Sequence, residues 1–226
     1  MKEWQIELNG NEADLDLLCK IFTTRDLNVR KDGDSYYLVS SDFNPPSDPI
    51  KIFEEVTPLI DIINGIAKLY YEKYQSVQIK LVSGVDDKGE RTSYVLLTAP
   101  QRDCVLTALG GPEDLPKKIL SLSNTDESVA RALTLFGSFD HNWRTLSLVL
   151  DVIEENAGGQ SKLVKQDWAP KGIVRFKKTV NDFLTLGKDA RHAKVSRKPI
   201  TNPIPLQDAK ILINRLLWAW IKSKMS

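Results

Sequence analysis

The spacing of apolar residues changes along the chain, and this change limits the folds that the chain can adopt. Up to about residue 98, short alternating segments such as Trp4-Gln5-Ile6-Glu7-Leu8 separate longer segments with an apolar residue at every third or fourth position. Alternation is typical of half-buried strands, and the longer spacing is typical of amphipathic helices. After Gly110-Gly111-Pro112 only the helical spacing remains. We therefore predict an α+β protein: a mixed or antiparallel sheet with helices on one face, followed by an all-α domain.

Turn and capping residues indicate the order β-α-β-β-α-β-β for the first half. Asn11 is placed to cap the first helix, and Asp32-Gly33 is typical of a tight turn between two strands. Asp48-Pro49 is typical of the start of a second helix. Because the residue before a proline avoids the α conformation, we expect that helix to stop before Pro58 and a longer one to begin at Thr57.

The predicted domain boundary lies near residues 110–122, where Gly110-Gly111-Pro112 and Pro116 interrupt the pattern, and the chain is divided after residue 112. It separates an acidic α+β domain, residues 1–112, from a helical domain, residues 113–226, which is strongly basic from residue 160. Residues 104–109 are expected to add an edge strand to the sheet. In the helical domain, Thr125 and Asp140 are the predicted N-caps of two successive helices.

The net charge of the chain is close to zero only because two opposite charges cancel. Lys and Arg number 31 against 30 Asp and Glu, which gives +1. Residues 1–159 hold 16 Lys and Arg against 26 Asp and Glu, whereas residues 160–226 hold 15 Lys and Arg against four Asp. The C-terminal stretch alone therefore carries +11. Such asymmetry is typical of proteins that contact nucleic acid or another anionic surface.

We predict that part of this basic stretch is a nucleic-acid contact surface, where cations pair with phosphates and an aromatic ring stacks on a base. The predicted contact residues are Trp168, Arg175, Lys177, Lys178, Arg191, His192, Lys194, Arg197 and Lys198. No helix-turn-helix, RRM or zinc-finger motif specifies how bases would be read. Three other interpretations stay open: an acidic protein partner, pairing of the basic stretch with the acidic part of the chain itself, or a solvated face that binds no ligand.

An enzyme is the alternative hypothesis, because His192 follows Arg191 and an imidazole titrates near neutral pH. This pair would form the site of a phosphoester-processing enzyme. The GxSxG, HExxH, GxGxxG and CxxC signatures are absent, so we favour a non-enzymatic binding protein and assign no catalytic residue. Asp86-Asp87 and Glu154-Glu155 are interpreted as a turn and a solvated helix face, and we predict neither a metal site nor a cofactor.

The sequence predicts a cytoplasmic protein that does not enter a membrane. Its start, MKEWQIELNGNEADLD, turns acidic without an apolar segment, and no run of eighteen apolar residues occurs. The closing segment, Leu206–Ile221, is apolar on nearly all sides. It is therefore expected either to be buried or to meet a partner, as in a homo-oligomer or a structural subunit of a larger complex.

The C-terminal part, about residues 140–222, resembles a module of bacterial proteins of unknown function. The resemblance rests mainly on Arg175-Phe176-Lys177 and Ala190-Arg191-His192-Ala193. The further features that carry it are Trp143, Trp168 before Pro170 and Gly172, Gly187, and a closing helix rich in Leu and Trp. It implies no activity, cofactor or partner.

Overall fold

The computed structural model describes residues 3–43, 48–71, 73–86, 88, 90–95, 114–137, 141–193 and 200–225. The chain divides into two compact units, Met1–Ser121 and Leu122–Ser226, here called the first and the second unit. The predicted edge strand at 104–109 and the predicted division after residue 112 lie outside the described residues. The first unit holds 14 Lys and Arg against 20 Asp and Glu, and the second holds 17 against 10. Net charges of −6 and +7 thus belong to separate units.

The first unit contains a five-stranded antiparallel sheet in the order β2-β3-β1-β4-β5. Its strands are β1 Glu3–Asn9, β2 Leu27–Asp32, β3 Ser35–Ser40, β4 Gln78–Val85 and β5 Arg91–Val95. Ile6 of the central strand lies opposite Leu38 on one side and Val82 on the other, and all three are buried. Helix α1, Glu12–Ile21, packs on β2, and helix α2, Pro49–Tyr70, packs on β4. The predicted α+β class is confirmed.

The predicted caps at Asn11 and Asp48 and the predicted turn at Gly33 are confirmed. Asn11 Oδ1 accepts a hydrogen bond from the Ala13 N–H at 2.9 Å, and Asp48 Oδ1 accepts one from the Ile50 N–H at 3.0 Å. Between β2 and β3, Gly33 has a φ of +60°, which a residue without Cβ adopts at little cost.

The predicted helix break at Pro58 is wrong, because α2 runs unbroken from Pro49 to Tyr70. Val56 and Ile60, on either side of the proline, are both buried. Burying one such side chain contributes about 1.5–3 kcal/mol, whereas a proline inside a helix costs about 3 kcal/mol. Pro58 and Glu54, whose carbonyl loses its helical N–H partner, are exposed to solvent. The apolar face therefore decides the length of this helix.

The described residues of the second unit form helices joined by turns and loops, and none of them forms a strand. A helix that crosses the division between the units, α3 Leu115–Thr125, leads into it. Its other helices are α4 Glu127–Gly137, α5 Trp143–Asn156, α6 Gln160–Leu163, α7 Ile173–Val180, α8 Phe183–Leu186 and α9 Leu206–Met225. Helix α5 contacts α4, α6, α7 and α9 and so forms the centre of this unit.

Both predicted N-caps of the second unit need correction. Thr125 is the last residue of α3, and its hydroxyl donates to the Leu122 carbonyl. Asp126 caps α4 instead, because its Oδ1 accepts from two backbone N–H groups at 3.0 and 3.1 Å. Asn142 caps α5 in place of Asp140, which lies outside the described residues. In both cases the cap is the residue directly before the helix, one or two positions later in the chain than predicted.

Most apolar residues of α9 are buried, and this helix packs on α5 of the second unit. Those buried are Ala209, Leu212, Ile213, Leu216, Leu217, Trp220 and Ile221. Trp220 Nε1 also donates to Asn156 Oδ1 at 3.1 Å, which ties α9 to the end of α5. Ile211 is 37% exposed. A homo-oligomer through Leu206–Ile221 stays a prediction. Within the described ranges, no helix has the length and apolar character needed to cross a bilayer.

Candidate nucleic-acid interface

The structure describes six of the nine predicted contact residues, all in the second unit. They are Trp168, Arg175, Lys177, Lys178, Arg191 and His192; Lys194, Arg197 and Lys198 lie outside the described residues. Trp168 is partly exposed in the turn between α6 and α7. The charged side chains fall into two groups, one bound by the protein itself and one exposed to solvent.

Lys177 belongs to the first group, because a carboxylate on a neighbouring helix binds it. Its Nζ lies 2.7 Å from Glu154 Oε2 and 2.9 Å from Glu154 Oε1, so the pair joins α7 to α5. The two side chains are only 20% and 19% exposed. At this depth the pair is screened far less than a surface ion pair.

Arg191 is also held by the protein. Its two terminal nitrogens face the two oxygens of Asp151 on α5, at 2.9 and 2.8 Å. This parallel arrangement is the strong, bidentate form of an arginine–carboxylate pair. Its backbone N–H donates to the Val180 carbonyl at 2.7 Å, which fixes the chain here against the end of α7.

Arg175 donates three hydrogen bonds to the segment before α9. Nε donates to the Asn202 carbonyl at 2.9 Å, while Nη2 donates to Asn202 Oδ1 at 2.8 Å and to the Pro203 carbonyl at 2.9 Å. Asn202 has a φ of +126°, and it is the one residue other than glycine with positive φ in the described part of the chain. Arg175 thus stabilises a backbone conformation of Asn202 that residues other than glycine rarely adopt.

A further ion pair of the second unit links its last helix to the cap of α4. Lys224 Nζ lies 2.7 Å from Asp126 Oδ2. Burial alone would raise the pKa of Asp126, but the Lys224 ammonium and the N–H groups of the first turn of α4 outweigh it and hold the pKa below its ordinary value. Acids before residue 160 therefore bind several cations of the basic stretch within this unit, as one of the open interpretations expected.

The second group consists of lysine side chains that are exposed to solvent. Its members in residues 160–193 are Lys162, Lys165, Lys171, Lys178 and Lys188, here called the exposed lysines. None of them forms an ion pair with another described residue. Their charges are therefore available to an external anion.

One exposed lysine lies at a depression beside α7. The depression has a volume of about 430 Å³ and is lined by Gly172, Val174, Arg175, Lys178, Ile200, Thr201 and Asn202. The Val174 side chain is 44% exposed there. An apolar wall, a cation and two polar side chains thus meet in one concave place.

The wall formed by residues 200–204 is fixed at both ends. The Ile200 N–H donates to Asp182 Oδ2 at 3.2 Å, and the Ile204 N–H donates to Thr179 Oγ1 at 3.0 Å. Both acceptor residues are buried. With the three bonds from Arg175, the backbone of this wall is set by the protein before any ligand arrives.

Neither histidine has the surroundings of a catalytic group. His192 is exposed, does not line the depression beside α7, and has no hydrogen bond to a described residue. It lies shortly after a 3₁₀ turn, Gly187–Asp189. His141 Nε2 lies 2.6 Å from the Phe136 carbonyl, so its ring is bound to the end of α4. The described residues therefore give the phosphoester-processing hypothesis no support.

The first unit also has a polar depression. It differs from the depression beside α7 because its lysines already pair with carboxylates of the protein. It has a volume of about 320 Å³. Lys80 Nζ lies 2.6 Å from Glu7 and Lys31 Nζ lies 2.8 Å from Glu12. Each cation at this place already has a carboxylate, so an external anion would have to displace one.

Three residues of the acidic doublets have structural partners, and the fourth, Asp87, lies outside the described residues. Asp86 Oδ1 accepts from the Lys88 and Glu90 N–H groups in the turn before β5, while Glu154 binds Lys177 and Glu155 binds Arg131. Among the described residues, no three His, Cys, Asp or Glu side chains are placed to hold a metal ion.

Comparisons with protein-family models, with curated proteins and with solved structures find no match to this chain. The resemblance of residues 140–222 to a bacterial module therefore stays a prediction, and the candidate interface rests on the geometry alone.

Sequence reasoning missed Val174, Thr201 and Asn202, which line the depression with two of the predicted cations. The available signals were local: Gly172 before a helix and the turn-forming dipeptide Asn202-Pro203. Neither signal shows that the two segments, about thirty residues apart, come together.

Proposed function

We propose that this chain is a cytoplasmic, non-enzymatic nucleic-acid-binding protein that contacts the phosphate backbone through the exposed lysines of its second unit. The supporting observation is that five lysines within residues 160–193 stay exposed and form no ion pair with a described residue, after internal carboxylates have bound their neighbours. The unit that carries them has a net charge of +7. A surface of this sign attracts a polyanion and raises its rate of association.

Binding of this kind has a characteristic dependence on salt. Each phosphate that a lysine neutralises releases condensed counterions, so the logarithm of the affinity falls linearly with the logarithm of the salt concentration. Five contacts to a single strand predict a slope of about −3.5. Contacts to backbone phosphates carry little sequence information, so we expect weak discrimination between sequences.

The test is the affinity of the full chain for a fluorescein-labelled 20-nucleotide oligonucleotide, measured by anisotropy between 20 and 300 mM NaCl. We expect Lys162→Gln, Lys165→Gln, Lys171→Gln and Lys178→Gln, combined in one variant, to weaken binding more than tenfold at the lowest salt. We also expect that variant to reduce the slope by about 3.

A matched control removes the same charge from the first unit. Lys20→Gln, Lys51→Gln, Lys73→Gln and Lys88→Gln all replace exposed lysines, and this variant should keep the affinity within twofold. The proposal fails if the wild-type chain does not bind at 20 mM NaCl, or if the control loses as much affinity as the second-unit variant.

A further inference from the structure

We propose that the depression beside α7 binds one nucleotide of a single strand, with its phosphate at Lys178 and its base against Val174 and Ile200. Thr201 and Asn202 would contact the polar edge of the base. This inference rests on the proposed function and names the nucleic acid that it favours: unpaired strands over duplex.

The size and lining of the depression fit such a ligand. Its volume of about 430 Å³ lies within the ordinary range for small-molecule sites. A nucleotide needs an apolar surface for its ring and a cation for its phosphate. Val174 and Lys178 lie one helical turn apart on α7 and therefore on the same face, which supplies both at neighbouring positions.

Two polar side chains are free to recognise a base edge. Asn202 Oδ1 is occupied by Arg175, which leaves its amide N–H groups as donors. The Thr201 hydroxyl is exposed and forms no hydrogen bond with a described residue. Acceptors on the Watson–Crick edge of a base can take such bonds, and a duplex hides that edge in pairing. The depression therefore favours an unstacked, unpaired nucleotide.

The conformation of Asn202 indicates that the site is built before binding. A non-glycine residue with a φ of +126° is strained, and strain of this kind clusters at ligand-binding and active sites. The three hydrogen bonds from Arg175 maintain it. Arg175 is thus a positioning residue that acts through Asn202 and does not itself contact the phosphate.

The direct test is a titration of the full, ¹⁵N-labelled chain with uridine 5′-monophosphate, read from the amide resonances of Gly172, Val174, Thr201 and Asn202. We expect saturable shifts at these amides with a Kd on the order of 1 mM, a value typical of a small solvent-exposed ligand. Uridine alone and inorganic phosphate alone should each bind at least tenfold more weakly. The inference is overturned if these amides do not shift, or if phosphate alone binds as tightly as the nucleotide.

Two valines provide a matched pair of variants. Val174→Glu places a carboxylate in the depression, whereas Val164→Glu makes the same change at a position that is 42% exposed and outside it. We expect the first to weaken nucleotide binding at least tenfold and the second to leave it within twofold. Both positions are exposed, so both variants should fold, which circular dichroism would verify.

Arg175→Lys tests whether Arg175 positions Asn202. The substitution keeps the positive charge but removes the guanidinium group that donates the three hydrogen bonds. We expect it to weaken nucleotide binding at least fivefold without changing the salt slope of oligonucleotide binding. Unchanged nucleotide affinity, or a reduced slope, would contradict this role.

The two proposals fail separately. If the oligonucleotide binds through the exposed lysines but Val174→Glu has no effect on the nucleotide, the pocket inference is wrong and the proposed function stands. If the nucleotide binds in the depression but no oligonucleotide binds at 20 mM NaCl, the proposed function is wrong.

Discussion

The ammonium group of Lys177 lies 2.7 Å from the Glu154 carboxylate, and this pair joins α7 to α5 in the second unit. Lys178, the next residue, is exposed and forms no ion pair with a described residue. Two adjacent lysines that look equivalent in the sequence thus have different roles. The first stabilises the fold, and the second is available to a ligand.

We expect Glu154→Gln to destabilise the second unit by about 1–2 kcal/mol, because it leaves Lys177 half-buried without its partner. Glu155→Gln is the control: Glu155 is 71% exposed and its pair with Arg131 lies at the surface, where such pairs contribute about 0–1 kcal/mol. Urea unfolding followed by tryptophan fluorescence measures both, since four of the five tryptophans lie in this unit. Equal effects of the two substitutions would contradict the assignment.

Asp126 should contribute stability that depends on pH. Its pKa is lowered in the folded state, so the stability that its charge provides is present above its ordinary pKa and is lost as the pH falls through the folded value. Asp126→Asn keeps the cap of α4 and loses the pair with Lys224. We expect it to be less stable than the wild type at pH 7, with the difference narrowing below about pH 4.

Asp126→Ala loses both functions of the same side chain. Loss of an N-cap costs about 1 kcal/mol, so this variant should be less stable than Asp126→Asn by that amount at every pH. Urea unfolding at pH 3.5 and pH 7 gives both comparisons. A gap between wild type and Asp126→Asn that is equal at the two pH values would show that the ion pair contributes nothing.

Asp14 should give the first unit the opposite pH dependence. Its side chain is buried, and neither carboxylate oxygen has a hydrogen-bond partner among the described residues. Burial raises its pKa to about 6, although the nearby Gln75 backbone N–H partly offsets this. The folded state therefore binds the proton more tightly than the unfolded chain, whose ordinary value is 3.8. Stability of this unit should fall as the pH rises from about 4 to 6 and stay low above it.

We expect Asp14→Asn to stabilise the first unit at pH 8 by about 3 kcal/mol, with the gain vanishing near pH 4. Hydrogen exchange of the β1 and β4 amides, read by mass spectrometry, reports on this unit alone. Asp34→Asn, at an exposed position, is the control and should change exchange little at either pH. A gain that is the same at pH 4 and pH 8 would contradict the role of the buried charge.

Pro58 inside α2 should lower the stability of this helix in the first unit. Pro58→Ala restores the N–H that the Glu54 carbonyl lacks, at an exposed position with no packing to disturb. We expect it to stabilise α2 by about 1 kcal/mol, because the restored helical bond outweighs the greater freedom of the unfolded chain. Slower hydrogen exchange across α2 would support this. Glu55→Ala, also exposed, should change exchange little, and faster exchange in Pro58→Ala would contradict the prediction.

Local sequence signals predicted the local structure well. Asn11, Gly33 and Asp48 lie in the sequence neighbourhood that they cap or turn, so residue type alone indicated the outcome. The prediction failed at Pro58, where a long apolar face packed on the sheet outweighs one residue's preference. Tertiary packing of this kind cannot be read from a neighbouring pair of residues.

The candidate site was predictable only as a region. The charge of residues 160–226 pointed to it, but charge counts do not tell which cations have internal partners. Glu154 and Asp151 precede Lys177 and Arg191 by 23 and 40 residues, so the pairs depend on how α5 packs. The same is true of Arg175 and Asn202, which meet only in the folded unit.

The most direct test compares Lys177→Gln with Lys178→Gln in the salt dependence of oligonucleotide binding, measured by anisotropy on folded protein. Both variants lose one positive charge, and the two positions are adjacent. We predict that Lys178→Gln reduces the slope by about 1 and weakens binding, because it removes a phosphate contact. Lys177→Gln should lower stability to urea and leave the slope unchanged. Equal reductions of the slope by the two substitutions would contradict the division of the basic stretch into structural and ligand-binding cations.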